Sequence, residues 1–216
     1  MGFGAVVGGR SAEARTPTRR HPRDMQRIAT TVLGVVGAPD AGRRRELVAG
    51  LGQGANVRAV LPDPDGAAID RAVEAWREAA RAHVPFVVHD ADPLAEVGAA
   101  WIDRWDGAGD VGRMEVAVQA VLQRWRAGTV ELPDYHLVVA PDDLSPTARH
   151  WHLGVLATEA PHRVVVVDDD HDALARAVRR LRSGRWWPDL AALLAGLDRR
   201  VPDAFEARPE ERSLII

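Results

Sequence analysis

Five short apolar runs recur along the chain, and their character restricts the fold more than any other feature. They are Thr31–Val36, Val57–Leu61, Val84–Val88, Tyr135–Ala140 and Arg163–Val167. Each is mostly continuous rather than alternating, as strands buried on both faces of a sheet require. Between them lie stretches of helical period. Ile69, Val73, Trp76 and Ala80 share one face, as do Met114, Val118, Val121 and Trp125, then Leu174, Val178 and Leu181, and last Leu190, Leu193, Leu194 and Leu197. Trp76 and Trp125 therefore read as core residues, and Ser145 before Pro146 reads as a helix N-cap with proline at the first helical position. Strands alternating with helices predict an α/β fold: a doubly wound, mostly parallel five-stranded sheet with helices on both faces, a Rossmann-like or P-loop-like three-layer sandwich. The expected organisation is a basic flexible arm over residues 1–27, a single α/β domain over 28–201 and a tail over 202–216.

With 216 residues the chain is long enough for one core of ordinary size. It has no cysteine, and all 28 of its Lys and Arg residues are arginine. That removes thiol nucleophiles, thiolate metal sites, Schiff bases and any lysine working by loss of its proton, because arginine stays charged. The lysine-free, Ala-, Arg- and Gly-rich composition is the one that GC-rich bacterial coding favours. No apolar run approaches the roughly 18 residues of a membrane span. No apolar segment follows the basic residues of the N-terminus either, so a cytoplasmic protein is expected.

The arm carries Arg10, Arg15, Arg19, Arg20, Arg23 and Arg27 against Glu13 and Asp24, which leaves an acidic body behind it. It reads as a solvated tail, or as an electrostatic tether to a protein partner, with nucleic acid not expected. At the other end Leu214, Ile215 and Ile216 close a charged run, a pattern suited to docking on a protein partner.

Gly37-Ala-Pro-Asp-Ala-Gly42-Arg43-Arg44 follows the first predicted strand and opens a helix carrying Leu47, Val48 and Leu51. Glycines at this spacing let backbone N–H groups curl around a phosphate while the helix N-terminus adds a favourable dipole. The same spacing occurs at Gly4/Gly9 and Gly107/Gly112, but only the copy at Gly37 has a strand before it and a helix after it. In that setting the segment resembles the Walker A loop of P-loop NTPases. Arg43 stands where that family has its loop lysine, and Arg44 where it has the magnesium-binding Ser or Thr. The segment Asp134–Ser145 is similar to the fourth-strand region of partition-type ATPases of the same superfamily. The resemblance implies a nucleotide-binding site at Gly37, Asp40, Gly42, Arg43 and Arg44, with a nucleoside triphosphate and magnesium as the cofactors. Because arginine binds no magnesium, it implies a degenerate loop, a pseudoenzyme that binds with little or no hydrolysis and works through protein partners.

Aspartates follow every predicted strand: Asp40; Asp63 and Asp65; Asp90 and Asp92; Asp142 and Asp143; Asp168, Asp169 and Asp170. In a parallel sheet these ends share one edge, the edge where ligands bind. Carboxylates there suit a magnesium-type cation that bridges to phosphate. The run ending His89-Asp90-Ala-Asp92 is sharpest and resembles the D-x-D motifs of haloacid-dehalogenase-type phosphatases and nucleotide-sugar glycosyltransferases. It supports a second reading, a magnesium-dependent phosphoryl- or nucleotidyl-sugar-transfer enzyme with Asp90 and Asp92 as catalytic and metal-binding pair. The hydroxyl residue after the second acid and the lysine anchor of the phosphatases are both missing. Asp168–Asp172 reads equally as a helix cap. A ligand-free interaction domain is the third reading.

Gly107–Gly112 matches the dinucleotide fingerprint but follows no strand, and so reads as a loop. His150 and His152, two residues apart on a predicted helix, point to different faces and argue against a shared metal. His83, His89, His136 and His162 sit beside strands and read as packing or surface residues, with His89 available as an acid or base beside Asp90. No serine lies in a nucleophile elbow, so a hydrolytic triad is unsupported.

Overall fold

The computed structural model describes residues 30–38, 40–181 and 186–202. The arm over 1–27 and the apolar residues Leu214–Ile216 lie outside these. Strands β1 (Thr31–Gly37), β2 (Val57–Val60), β3 (Phe86–His89), β4 (Tyr135–Val139) and β5 (Val164–Val167) form one sheet in the order β2-β3-β1-β4-β5. Every pairing is parallel. The expected five-stranded α/β sandwich is therefore present, with no antiparallel strand in the sheet.

Parallel neighbours need crossovers, and helices supply them on both faces. Helix α1 (Ala41–Leu51) follows β1 and α2 (Ala68–Arg81) follows β2. Helices α3 (Ala95–Trp105) and α4 (Val111–Arg126) follow β3, and α5 (Pro146–His150) follows β4. A π-helical segment, Trp151–Leu156, continues α5 into the short α6 (Ala157–Glu159). Helix α7 (His171–Arg179) follows β5, and α8 (Leu190–Leu194) is the last α-helix described.

Leu47, Val48 and Leu51 of α1 and Leu174 and Val178 of α7 pack on Leu33, Val35, Leu137 and Val139. The opposite face carries α2 against Val32, Val60 and Val87. Beside it, α3, α4, the π segment and α8 meet around Trp101, Trp151 and Leu193. Because both faces are covered, β1 and β4 are buried nearly end to end, which is why their sequences show no alternation. Helix α3 had no clear signature in the sequence. Its Gly98 interrupts the apolar pattern because Trp151 packs against that position.

Ser145 caps α5 through Ala148 N, as the Ser-Pro pair suggests. Asp110 caps α4 and Asp170 caps α7. Among the described residues no helix is long and apolar enough to cross a membrane.

Candidate functional site

The carboxyl ends of all five strands share one edge, and the connections leave β1 and β4 in opposite directions, β1 towards β2 and β4 towards β5. That divergence places the natural crevice of an open parallel sheet beside Gly37 and Ala140. Both strands leave the sheet through left-handed backbone. Gly37 and Ala38 have φ of +72° and +49°, and Ala140 has φ of +43°. Ala38 N then donates to Val139 O and Ala140 N to Val167 O, each at 2.9 Å, which stitches successive strand ends together.

Helix α1 opens immediately after this turn. Asp40 is its N-cap, and Oδ1 accepts from Gly42 N at 2.9 Å, so the chain's own carboxylate holds one of the free amides of the first turn. Three consecutive arginines then fan out to three strand ends. Arg43 reaches past the loop to Asp169 after β5, with Nε 2.7 Å from Oδ1, and also meets Glu46 at 3.1 Å. The hydrogen bond to Asp169 raises its pKa. Arg45 donates to the Pro62 and Leu61 carbonyls after β2, at 2.7 and 3.1 Å.

Arg44 folds back over the turn, and its Nη1 donates to Gly37 O at 2.9 Å and to Ala38 O at 3.1 Å. Burial lowers the pKa of this guanidinium, while Asp90, Asp92 and Asp40 all favour its charge and Arg71 opposes it. The glycine turn and the D-x-D pair, separate motifs in the sequence, therefore act on one cation.

Asp90 and Asp92 both have partners. Asp90 Oδ2 lies 3.0 Å from Arg71 Nη2 of α2, with the two side chains 5% and 18% exposed. Asp92 Oδ1 accepts from Leu94 N at 2.9 Å. Burial raises the Asp92 pKa, against the pull of that amide and of the nearby His152 and Arg44. Among the described residues no three His, Cys, Asp or Glu side chains converge to hold a metal ion. The other acids of the rim divide among ordinary tasks: Asp63 turns the chain onto Asp65 N, Asp142 meets Arg149 at 3.0 Å, and Asp170 caps α7.

Behind the rim lies a buried group of histidines that the sequence names singly, His89 as an acid or base beside Asp90, but does not bring together. His136 of β4 is completely buried, with Nε2 3.8 Å from Asp92 Oδ1. His152 is buried in the π segment, where the charge of Asp92 favours its protonation and His136 opposes it. His89 of β3 is buried next to Asp90. Burial pushes the pKa of each down to about 4, so all three are neutral near pH 7. His89 Nδ1, both ring nitrogens of His136, His152 Nδ1, Asp90 Oδ1 and Arg71 Nε have no hydrogen-bond partner among the described residues. His150 and His152 do point apart, as their spacing implied, since His150 stacks on Trp101 instead. What the sequence left hidden was the inward turn of His152, which a π-helical segment sets and an α-helical wheel does not describe.

Comparison with protein-family models, with curated proteins and with solved structures found no match.

Proposed function

We propose that this chain binds a phosphorylated ligand, a nucleotide in the first instance, at the carboxyl edge of β1 and β3, with little or no hydrolysis, and acts through protein partners. The observation that carries the reading is the position of Arg44. Its guanidinium bridges the carbonyls of the glycine turn and the field of Asp90 and Asp92, which is where a P-loop-like site needs a cation between phosphate and carboxylate. A fixed guanidinium gives bidentate recognition of phosphate but no open coordination sphere for positioning an attacking water. Binding without turnover follows from that chemistry. The left-handed Ala38 and Ala140 support the same edge as the functional one, because strained backbone of this kind concentrates at ligand sites.

Magnesium fits these residues poorly. Asp90 is held by Arg71, Asp92 by a backbone amide, and an arginine stands at the position of the hydroxyl ligand. The reading therefore rests on Arg44 rather than on a magnesium ion.

The test is thermal unfolding with millimolar ATP, GTP or inorganic phosphate, with and without magnesium. A ligand that binds only the native state raises the midpoint. A rise independent of magnesium and absent in Arg44→Gln is the expected result. A rise that appears only with magnesium transfers support to the enzyme built on Asp90 and Asp92. No rise with any of the ligands overturns phosphate binding and leaves a ligand-free interaction domain.

A further inference from the structure

The two edges of the sheet are guarded unequally. Strand β2 ends the sheet on one side and carries Arg58, which is exposed and paired with Glu78 at 2.9 Å. A charge on an edge strand keeps other strands off it. Strand β5 ends the other side as four consecutive valines, Val164–Val167, and among the described residues it pairs with β4 alone. His136 N donates to Arg163 O and Ala140 N to Val167 O, so the odd-numbered residues of β5 turn their peptide groups towards β4. By the alternation of a parallel ladder, the N–H and C=O groups of Val164 and Val166 face away from the sheet. They meet no partner among the described residues. The Val166 side chain is 55% exposed, whereas Val164, on the same face, packs against the cluster around Trp151 and Leu193.

The last described residues lead towards this edge. Arg200 is held by Glu159 at 2.6 Å and by the Val155 carbonyl at 3.4 Å, and Glu159 stands five residues before Val164. Pro202, two residues further on, is buried. Five residues span at most about 18 Å, whereas the 12 residues from Pro202 to Leu214 reach about 40 Å when extended. The connection is therefore long enough to lay residues 213–216 along β5. Ser213-Leu-Ile-Ile216 also suits the edge in kind, because it carries no charged side chain, its isoleucines are β-branched, and it matches the four residues of β5 in length.

We infer that Ser213–Ile216 adds to the free edge of β5 as a sixth strand, covering Val166 and bonding the outward peptide groups of Val164 and Val166. Main-chain bonds give strand addition its strength, and the alternating side chains give it its fit. The inference is independent of phosphate binding, and it gives Leu214, Ile215 and Ile216 a docking surface within their own chain.

Amide hydrogen exchange, read residue by residue by NMR on the full 216-residue chain as a monomer, tests the strand. Val165 and Val167 bond to β4 and serve as internal references. Slow exchange is expected at Val164 and Val166 in the full chain. About tenfold faster exchange is expected at these two alone in a chain ending at Arg212. Leu214→Pro combined with Ile215→Pro removes one donor on each side of the segment and is expected to give the same selective loss. Fast exchange at Val164 and Val166 in the full chain overturns the sixth strand whatever the variants do. Protection that persists after truncation, or that arises only as the concentration rises and a dimer forms, gives the edge another occupant and overturns it as well.

Discussion

His89 and His136 stand on either side of Gly34 in a single row of the sheet, one on β3 and the other on β4, and both rings are buried and neutral. The row continues to Val60 on one side and Val164 on the other. Gly34 places no side chain between them, their backbones lie about 10 Å apart across two strand spacings, and Pro133 fills the space over Gly34.

These rings make the fold acid-sensitive. His89, His136 and His152 have native pKa values of about 4, whereas unfolded histidine titrates near 6.5. The unfolded chain therefore takes up protons first, so stability is complete above about pH 6.5 and falls as the pH drops towards 4. Asp92 acts in the opposite sense, because burial raises its native pKa and the native state gains that proton before the unfolded one does. Urea midpoints measured between pH 7 and 4 are expected to fall through this window, and less steeply in His136→Phe. A midpoint constant from pH 6.5 to 4.5 contradicts the assignment.

Arg71 and Asp90 form a pair that is costly to break from either side. Their separation is 3.0 Å and both are largely buried, so Arg71→Gln strands a carboxylate and Asp90→Asn strands a guanidinium. Each single change is expected to cost about 3 kcal/mol. The double variant is expected to recover much of that loss. Equilibrium denaturation of the four proteins gives the coupling, and additive losses would show that the pair is not an energetic unit.

Gly98 occupies the interior of α3, where alanine ordinarily adds about 1 kcal/mol through helix propensity. Here the sign reverses. A Cβ at this position lies 2.7 Å from Trp151 Nε1 and 2.9 Å from its Cε2, and Trp151 is 2% exposed with no room to retreat. Gly98→Ala is expected to destabilise by roughly 1–3 kcal/mol, the range for overpacking a core. Denaturation followed by tryptophan fluorescence reports it, and a stabilised variant would refute the contact.

Ala38 and Ala140 pay for their left-handed backbone with about 1 kcal/mol each. Glycine at either position is expected to be neutral or stabilising, whereas Ala79→Gly in the core face of α2 is expected to destabilise. Chemical denaturation of the three variants decides the point. If Ala38→Gly and Ala140→Gly lose as much as Ala79→Gly, the strain is not there.

The strands were legible because a sheet buried on both sides writes itself as unbroken apolar runs, and the runs at Val32 and Val138 lie within a residue or two of the observed strands. The aspartates were legible as a rim for the same reason: a parallel sheet brings all its strand ends together. Which arginine folds over the glycine turn was not legible. Arg43 and Arg44 are neighbours in sequence, but on a helix they diverge by about 100°, and that rotation sends one to Asp169 and the other over Gly37. His152 was hidden by the local widening of its helix. The nearness of His136 to Asp92 was hidden because Asp92 lies on another strand connection, a proximity that only the strand order creates.

The strand order has a further consequence for how the chain reaches its native state. Among the five described strands the central one comes first in the chain, yet Gly34 pairs with His89 on one side and His136 on the other. Neither pairing is local, and two helices separate β3 from β4. The apolar ribbon Val32 to Val36 therefore lacks its second neighbour until β4 has been made. Folds dominated by such distant pairings form on the slow side, in milliseconds to seconds. During that interval the apolar strand with an unpaired edge is open to aggregation.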